Sequence, residues 1–307
     1  MELTYLNGVI QAKYSDLFNP AILNNFKGLT KNSYLSLLDD YNYGISEKND
    51  FEKIMLEAEL KHKQFLESIL NKNHLVYKVL YKNFDHIFLA NLIKSFVLKI
   101  PYERLIKNLS TFNEKAFEDY VFLNIDTLIS LEEKVFIDNL LNVSKGKDPK
   151  TISDIVYRVL NEEISNHLKT NDKAIIWYQQ LDNTINNILT LIRTKRFNED
   201  INYLKDNYIK DSLIEVDYLL PYYNLNSQSL GEYLSIHFNQ DIKKYFNLSY
   251  DNINLNDLSN YFNQYLINNI NPFNYDFDTL GPLIDLTLKK RQEIINLKQI
   301  YYDLGEI

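Results

Sequence analysis

Glu59-Leu-Lys-His62 is the only place in the chain where a carboxylate and an imidazole stand three residues apart. That is the spacing with which a helical bundle offers ligands to a di-iron centre, and such a centre needs two pairs. The nearest second pair, Glu163 and His167, has the wrong interval, and the five histidines (62, 74, 86, 167 and 237) form no HExxH motif. Asp39-Asp40 has the form of the first half of an aspartate-rich diphosphate motif. No second acidic cluster follows, and Tyr43-Gly44 stands where the last aspartate should be, so a solvated helix end is the plainer reading. The glycines at 8, 28, 44, 146, 231, 281 and 305 never approach GxGxxG or Walker spacing, which excludes a phosphate loop and with it direct nucleotide binding of that type. Lys289-Lys290-Arg291 is a candidate docking patch, with a solvated helix face as the alternative. Trp177-Tyr178 is expected in a core. No catalytic residue, cofactor or metal is expected from these patterns.

The elements that carry these residues are helices. Seven Gly and six Pro in 307 residues leave few helix breakers, and 45% hydrophobic with 24% charged residues describes a chain able to fold. The 24 Tyr and 17 Phe would suit strands but also pack between helices, so strands are given a small share. Asn19-Pro20, Asp50, Ser130-Leu-Glu-Glu133 and Asp148-Pro149 are helix starts. A second capping box, Ser229-Leu-Gly-Glu232, is expected to restart a helix after Pro221. Tyr43-Gly44 is expected to stop one, and Asn171 to Phe197 to form another. Phe84 to Ile100 is apolar nearly all round and should be buried, ending before Pro101. The polar run Asn247 to Asn256 reads as an exposed loop.

The net charge of -8 argues against a general nucleic-acid surface. The absence of cysteine excludes disulfides and thiolate metal sites, which fits a reducing compartment. No window supplies the roughly 20 apolar residues of a membrane span, and the N-terminus lacks a signal-peptide pattern. A soluble, cytoplasmic location is expected.

The closing segment, Leu283 to Leu304 followed by Gly305, reads as one helix. Ile294, Leu297, Ile300, Tyr301 and Leu304 form its apolar stripe, with Lys289, Lys290, Arg291, Lys298 and Asp303 mostly off it. It has relatives upstream. Asn91-Leu92, Asn187-Ile188 and Asn296-Leu297, about 96 and 109 residues apart, suggest a threefold internal repeat.

The run Glu293-Ile294-Ile-Asn296-Leu297-Lys298-Gln-Ile300, with Gly305 beyond it, resembles the C-terminal signature of one central-stalk family of the V-type and A-type rotary ATPases. Its members are the C-type subunits of the bacterial and archaeal enzymes and the d-type subunits of the eukaryotic vacuolar one. Tyr5 to Lys13 and Leu35 to Gly44 are similar to the same family in order and spacing. Two positions depart: Lys298 and Gln11 stand where the family favours Arg, and Lys lacks the planar fork of Arg. Relatives also often continue past the position of Gly305.

The resemblance implies an all-α, funnel-shaped protein of three similar helical subdomains (1–110, 111–199 and 200–307) about a pseudo-threefold axis, forming one structural unit. It implies a non-catalytic rotor component, peripheral on the membrane, whose partners are the other central-stalk subunits and the membrane rotor ring. An unrelated helical scaffold or interaction module is the alternative reading. An all-α enzyme acting on a diphosphate, through Asp39 and Asp40, is the third.

Overall fold

The computed structural model describes residues 3–43, 50–70, 74–167, 172–273, 275–276 and 278–305. Among them there is no strand. The chain begins with α1 (Leu3–Lys13), α2 (Pro20–Asn25), α3 (Lys31–Asp40), α4 (Phe51–Ile69) and α5 (Leu75–Leu98). It continues with α6 (Glu114–Leu123), α7 (Leu131–Ser144), α8 (Pro149–His167) and α9 (Lys173–Arg196). Four shorter or later helices follow, α10 (Ile201–Asp206), α11 (Val216–Leu219), α12 (Ser227–His237) and α13 (Leu255–Ile270), and α14 (Gly281–Asp303) closes the series.

Side-chain caps explain where many of these helices start. Each supplies an oxygen to an amide that the first turn leaves without a backbone acceptor. Asn19 accepts from Ile22 N at 2.9 Å ahead of Pro20, and Asp50 accepts from Lys53 N at 3.2 Å. Ser130 and Glu133 form the reciprocal box, and Asp148 accepts from Thr151 N at 3.1 Å. The expected restart at Ser229 is corrected. Asn226 reaches the Ser229 amide at 2.9 Å, so α12 starts at Ser227 and Ser229 sits inside its first turn. The helix expected from Asn171 starts at Lys173 under an Asp172 cap, while Asn171 and the stop expected at Gly44 lie outside the described residues.

Two other expectations change. The helix placed at Phe84 to Ile100 starts nine residues earlier, at Leu75, and keeps an accessible edge at Ile87 and Phe96. The segment 247–256 is exposed at seven of its ten positions, as expected, but it is also tethered. Tyr250 and Ile253 are buried, Arg196 donates to both of their carbonyls, and the Tyr250 hydroxyl reaches Tyr222 O at 3.0 Å.

The chain divides into two compact units, one made of residues 1–80 and 269–307 and the other of 81–268. The boundaries at 110 and 199 expected from the repeat fall inside the second. In the first unit α14 closes an aromatic core: Phe26, Tyr34, Leu38, Phe51, Ile54 and Met55 pack with Ile294 and Leu297. Tyr301 stacks on Phe51 with ring centroids 3.8 Å apart, and the Tyr34 hydroxyl donates to Leu297 O at 2.8 Å. Burying that many rings supplies much of the unit's apolar stabilisation.

A tandem pattern runs through the helix order. α4 and α5 span 51–69 and 75–98, while α8 and α9 span 149–167 and 173–196. All four boundaries differ by 98 residues, a tighter agreement than the one or two residues within which helix ends are assigned. α13 and α14, at 255–270 and 281–303, repeat the order at offsets of 103 to 108. At the 98-residue register Asp85 of α5 corresponds to Asn183 of α9, and both are buried. Both also fasten the segment after their helix: Asp85 accepts from Thr111 N at 2.6 Å and Ser110 Oγ at 2.7 Å, and Asn183 donates to Lys210 O at 3.1 Å and Asp211 O at 3.2 Å.

Candidate functional site on the closing helix

The helix expected at Leu283 to Leu304 is α14, and its two halves differ. From Gly281 to Leu288 every residue is buried, whereas beyond Lys289 only one face is. Gly281 allows the close approach that the first half needs, because an added Cβ would lie 2.3 Å from Phe273 Cβ and 2.5 Å from Phe273 O. Asp285, wholly buried, accepts from the Tyr14 hydroxyl and pairs with Lys289 at 2.7 Å.

The residues that carry the family resemblance have separate structural tasks. Glu293 is buried and holds two partners at 2.5 Å, the Phe18 amide and the Lys290 ammonium. Ile294 and Leu297 are core, and Ile300 packs against it. Asn296 accepts from Gln292 at 2.9 Å. Lys298 pairs with Glu52 at 2.9 Å, with both side chains well exposed. Gly305 has no left-handed backbone, and an added Cβ would press on the flexible tip of Lys31 and meet Tyr302 O at an ordinary 3.5 Å, so nothing local requires glycine there.

The three asparagines linked by the repeat are not alike. Counted from their helix starts, Asn91, Asn187 and Asn296 are at positions 17, 15 and 16. Two residues amount to more than half a turn, so Asn91 and Asn187 lie on different faces. Asn187 is buried and clamps the Ile209 backbone through both its amide groups, at 2.9 and 2.8 Å, while Asn91 is partly exposed and donates to Glu103 O.

The candidate docking patch Lys289, Lys290 and Arg291 is engaged by the protein's own carboxylates. Lys289 takes Asp285, Lys290 takes Glu293, and Arg291 takes Glu59 at 3.1 Å together with Leu80 O at 2.8 Å. The Lys290 and Arg291 side chains are mostly covered, 16% and 21% exposed, so these two do not form an open basic surface.

Glu59 and His62 lie inside the same unit, but each has an internal partner. His62 Nε2 is 3.0 Å from Thr287 Oγ1. The Thr287 hydroxyl spends its proton on Leu283 O at 2.9 Å, so it can only accept from His62, which places the imidazole proton on Nε2. Burial first, then the charges of Arg291, Lys290 and Lys13, push the His62 pKa down to about 3. Asp39 and Asp40 end α3, with Asp40 exposed, and no described group of three His, Cys, Asp or Glu side chains could hold a metal ion. Beside α14 opens a cleft of about 520 Å³, lined in part by Lys13, Phe18, Tyr41, Lys61, His62 and Lys290.

Sequence reasoning missed Lys82, which is 2% exposed in the second unit. Its ammonium meets the Asp182 carboxylate, Asn161 Oδ1 at 3.1 Å, Asn183 Oδ1 at 3.2 Å and Gln179 Oε1 at 3.5 Å. One cation thus ties α5 to α8 and α9. Trp177 is half-buried on α9 and Tyr178 beside it is buried. Among the described residues, no helix is long and apolar enough to cross a membrane.

No protein-family model matches the chain, and comparison with curated proteins returns no significant match.

Proposed function

We propose that the chain is a non-catalytic central-stalk component of a V-type or A-type rotary ATPase, coupling the shaft of the ATP-hydrolysing head to the membrane rotor ring. The observation that carries this reading is the tandem helix pair, recurring at 98 residues and again at 103 to 108, in a chain whose closing helix has the family's Glu-Ile-x-Asn-Leu character. Three such pairs are what subdomains 1–110, 111–199 and 200–307 around a pseudo-threefold axis require. Torque transmission needs elements that do not bend, and α5, α9 and α14, of 24, 24 and 23 residues, contain no internal proline beyond the first turn. The protein would be peripheral on the cytoplasmic face, held by the complex and adding no cofactor of its own.

The alternative, a helical interaction module outside any ATPase, draws on a run of exposed apolar side chains: Phe122, Leu123, Leu128, Leu131 and Val135. Both readings call for protein partners, and one experiment separates them. Tagged protein is recovered from membranes at low salt, where charge-assisted docking is strongest, and its companions are identified by mass spectrometry. Rotor-ring and nucleotide-binding subunits are the expected companions. Their absence at every ionic strength, with the tagged protein intact, rules out the rotor assignment.

A further inference from the structure

We propose that the cleft beside α14 binds a small organic anion, its phosphate or carboxylate head held by Lys13, Lys61 and Lys290 and its apolar body lying on Phe18, Tyr41 and Phe65. The cleft's volume of about 520 Å³ is in the range that encloses a small molecule rather than a protein segment. Three lysines and one carboxylate, Asp16, line it, while Glu57 and Glu293, the partners of Lys61 and Lys290, are not among its lining residues.

These lysines are not equally committed. Lys290 is held by Glu293 and lies over the Tyr43 ring, 4.4 Å from its centroid, which fixes its position on the lining. Lys13 pairs with Asp16 at 2.5 Å, but that carboxylate is 59% exposed, and an exposed pair exchanges readily for a better anion. Lys61 has the loosest tie, a 3.8 Å contact to Glu57 across one helical turn. His62, also on the lining, is kept neutral first by burial and then by the charges of Arg291, Lys290 and Lys13. Its Nε2-protonated imidazole is occupied with Thr287 and adds no charge to the cleft.

The apolar side of the cleft is preorganised. Phe18 is fixed against Tyr41 and Tyr43 with ring centroids 4.9 and 5.2 Å away, so a ligand ring or chain meets a surface that does not have to reorder. Lys13 also lies 5.4 Å from the Phe65 centroid, which brings a cation and an apolar wall to one point. A bare inorganic ion would use only the lysines. A neutral aromatic would use only the rings. An organic anion uses both.

The test is calorimetric titration of the intact protein with phenyl phosphate, and with inorganic phosphate and phenol as the two half-ligands. Phenyl phosphate is expected to bind at least about tenfold more tightly than either half. Lys61→Met removes one charged hydrogen-bond donor and should weaken it by about tenfold or more, while Lys61→Arg keeps the charge and most of the affinity. Because the Lys61 side chain is 42% exposed and its one ion pair is a 3.8 Å contact, neither variant threatens the fold. Lys147→Met, on an exposed loop of the other unit, serves as the control. The proposal is overturned if phenyl phosphate gives no heat up to about 10 mM. It is equally overturned if phosphate alone binds as well, or if Lys61→Met and wild type bind alike. None of these outcomes bears on co-purification with an ATPase.

Discussion

Replacing Lys82 by Met retains the length of the stem and removes the charge from the centre of four oxygens. The Asp182 carboxylate, 13% exposed, is then left without its cation, and Asn161 and Gln179 lose the donor their oxygens accept from. Breaking a buried ion pair from one side costs about 3–5 kcal/mol, and the partial access of Asp182 to water points to the lower end, about 3 kcal/mol. Asp182→Leu alone strands the ammonium, which keeps three neutral oxygens and so loses somewhat less. In the double variant neither charge is stranded, so the cycle should show a favourable coupling of about 2–3 kcal/mol for the native pair. Trp177 is the chain's one tryptophan and stands on α9 five residues before Asp182, so urea unfolding followed by its fluorescence reports the unit concerned. The slope against denaturant should be unchanged and the midpoint lowered. A loss below about 1 kcal/mol for Lys82→Met, or a coupling near zero, would mean that the cage is not what joins α5 to α8 and α9.

Two further predictions concern the first unit. The His62 pKa in the folded protein, about 3, is below that of an unfolded histidine, so the unfolded chain takes up a proton first as the pH falls. Stability contributed by the neutral ring is complete above about pH 6.5 and declines at up to about 1.4 kcal/mol per pH unit until the folded pKa is reached. His86 and His237, in the other unit, are also pushed down, by burial first, and give that unit a trend of the same sign. Denaturant titrations at pH 7.5 and pH 5 should therefore differ by about 2 kcal/mol less in His62→Gln than in wild type, and equal differences would refute the assignment. Separately, Gly281→Ala should cost about 1–3 kcal/mol by forcing the α14 entrance away from the Phe273 backbone, whereas Gly305→Ala should stay within about 0.5 kcal/mol. Thermal unfolding of the two variants checks both, and a neutral Gly281→Ala would show that the contact relaxes freely.

Local chemistry was readable from the residues themselves. Asn19-Pro20, Asp50, Ser130 with Glu133, and Asp148-Pro149 start helices because each cap and its target amide are within three residues. Ser229 misleads for the same local reason: Asn226, three residues earlier, competes for the amide that would otherwise begin the turn. What depends on distant partners was not readable. Lys82 looks like a surface lysine until Asn161, Gln179 and Asn183, 79 to 101 residues away, are brought around it. Lys289-Lys290-Arg291 looks like an open basic patch because Glu59, 232 residues from Arg291, is invisible beside it, although Asp285 and Glu293 were near enough on the same helix to suggest internal pairing. The 98-residue recurrence escaped because it is carried by element lengths and by one Asp–Asn correspondence, while the repeated asparagines chosen from sequence are two residues out of register.

The core closed by α14 also sets an order of events during synthesis. Phe26, Tyr34 and Phe51 emerge early, but Ile294 and Leu297, which cover them, come more than 200 residues later. At about 5–20 residues per second, the first unit waits on the order of ten to fifty seconds for its lid while 81–268 can already fold. Through that interval an uncovered aromatic surface leads the nascent chain, and any ribosome that stops short of α14 releases it permanently exposed. Quality control would recognise truncated copies by their front end, although the missing part is at the back.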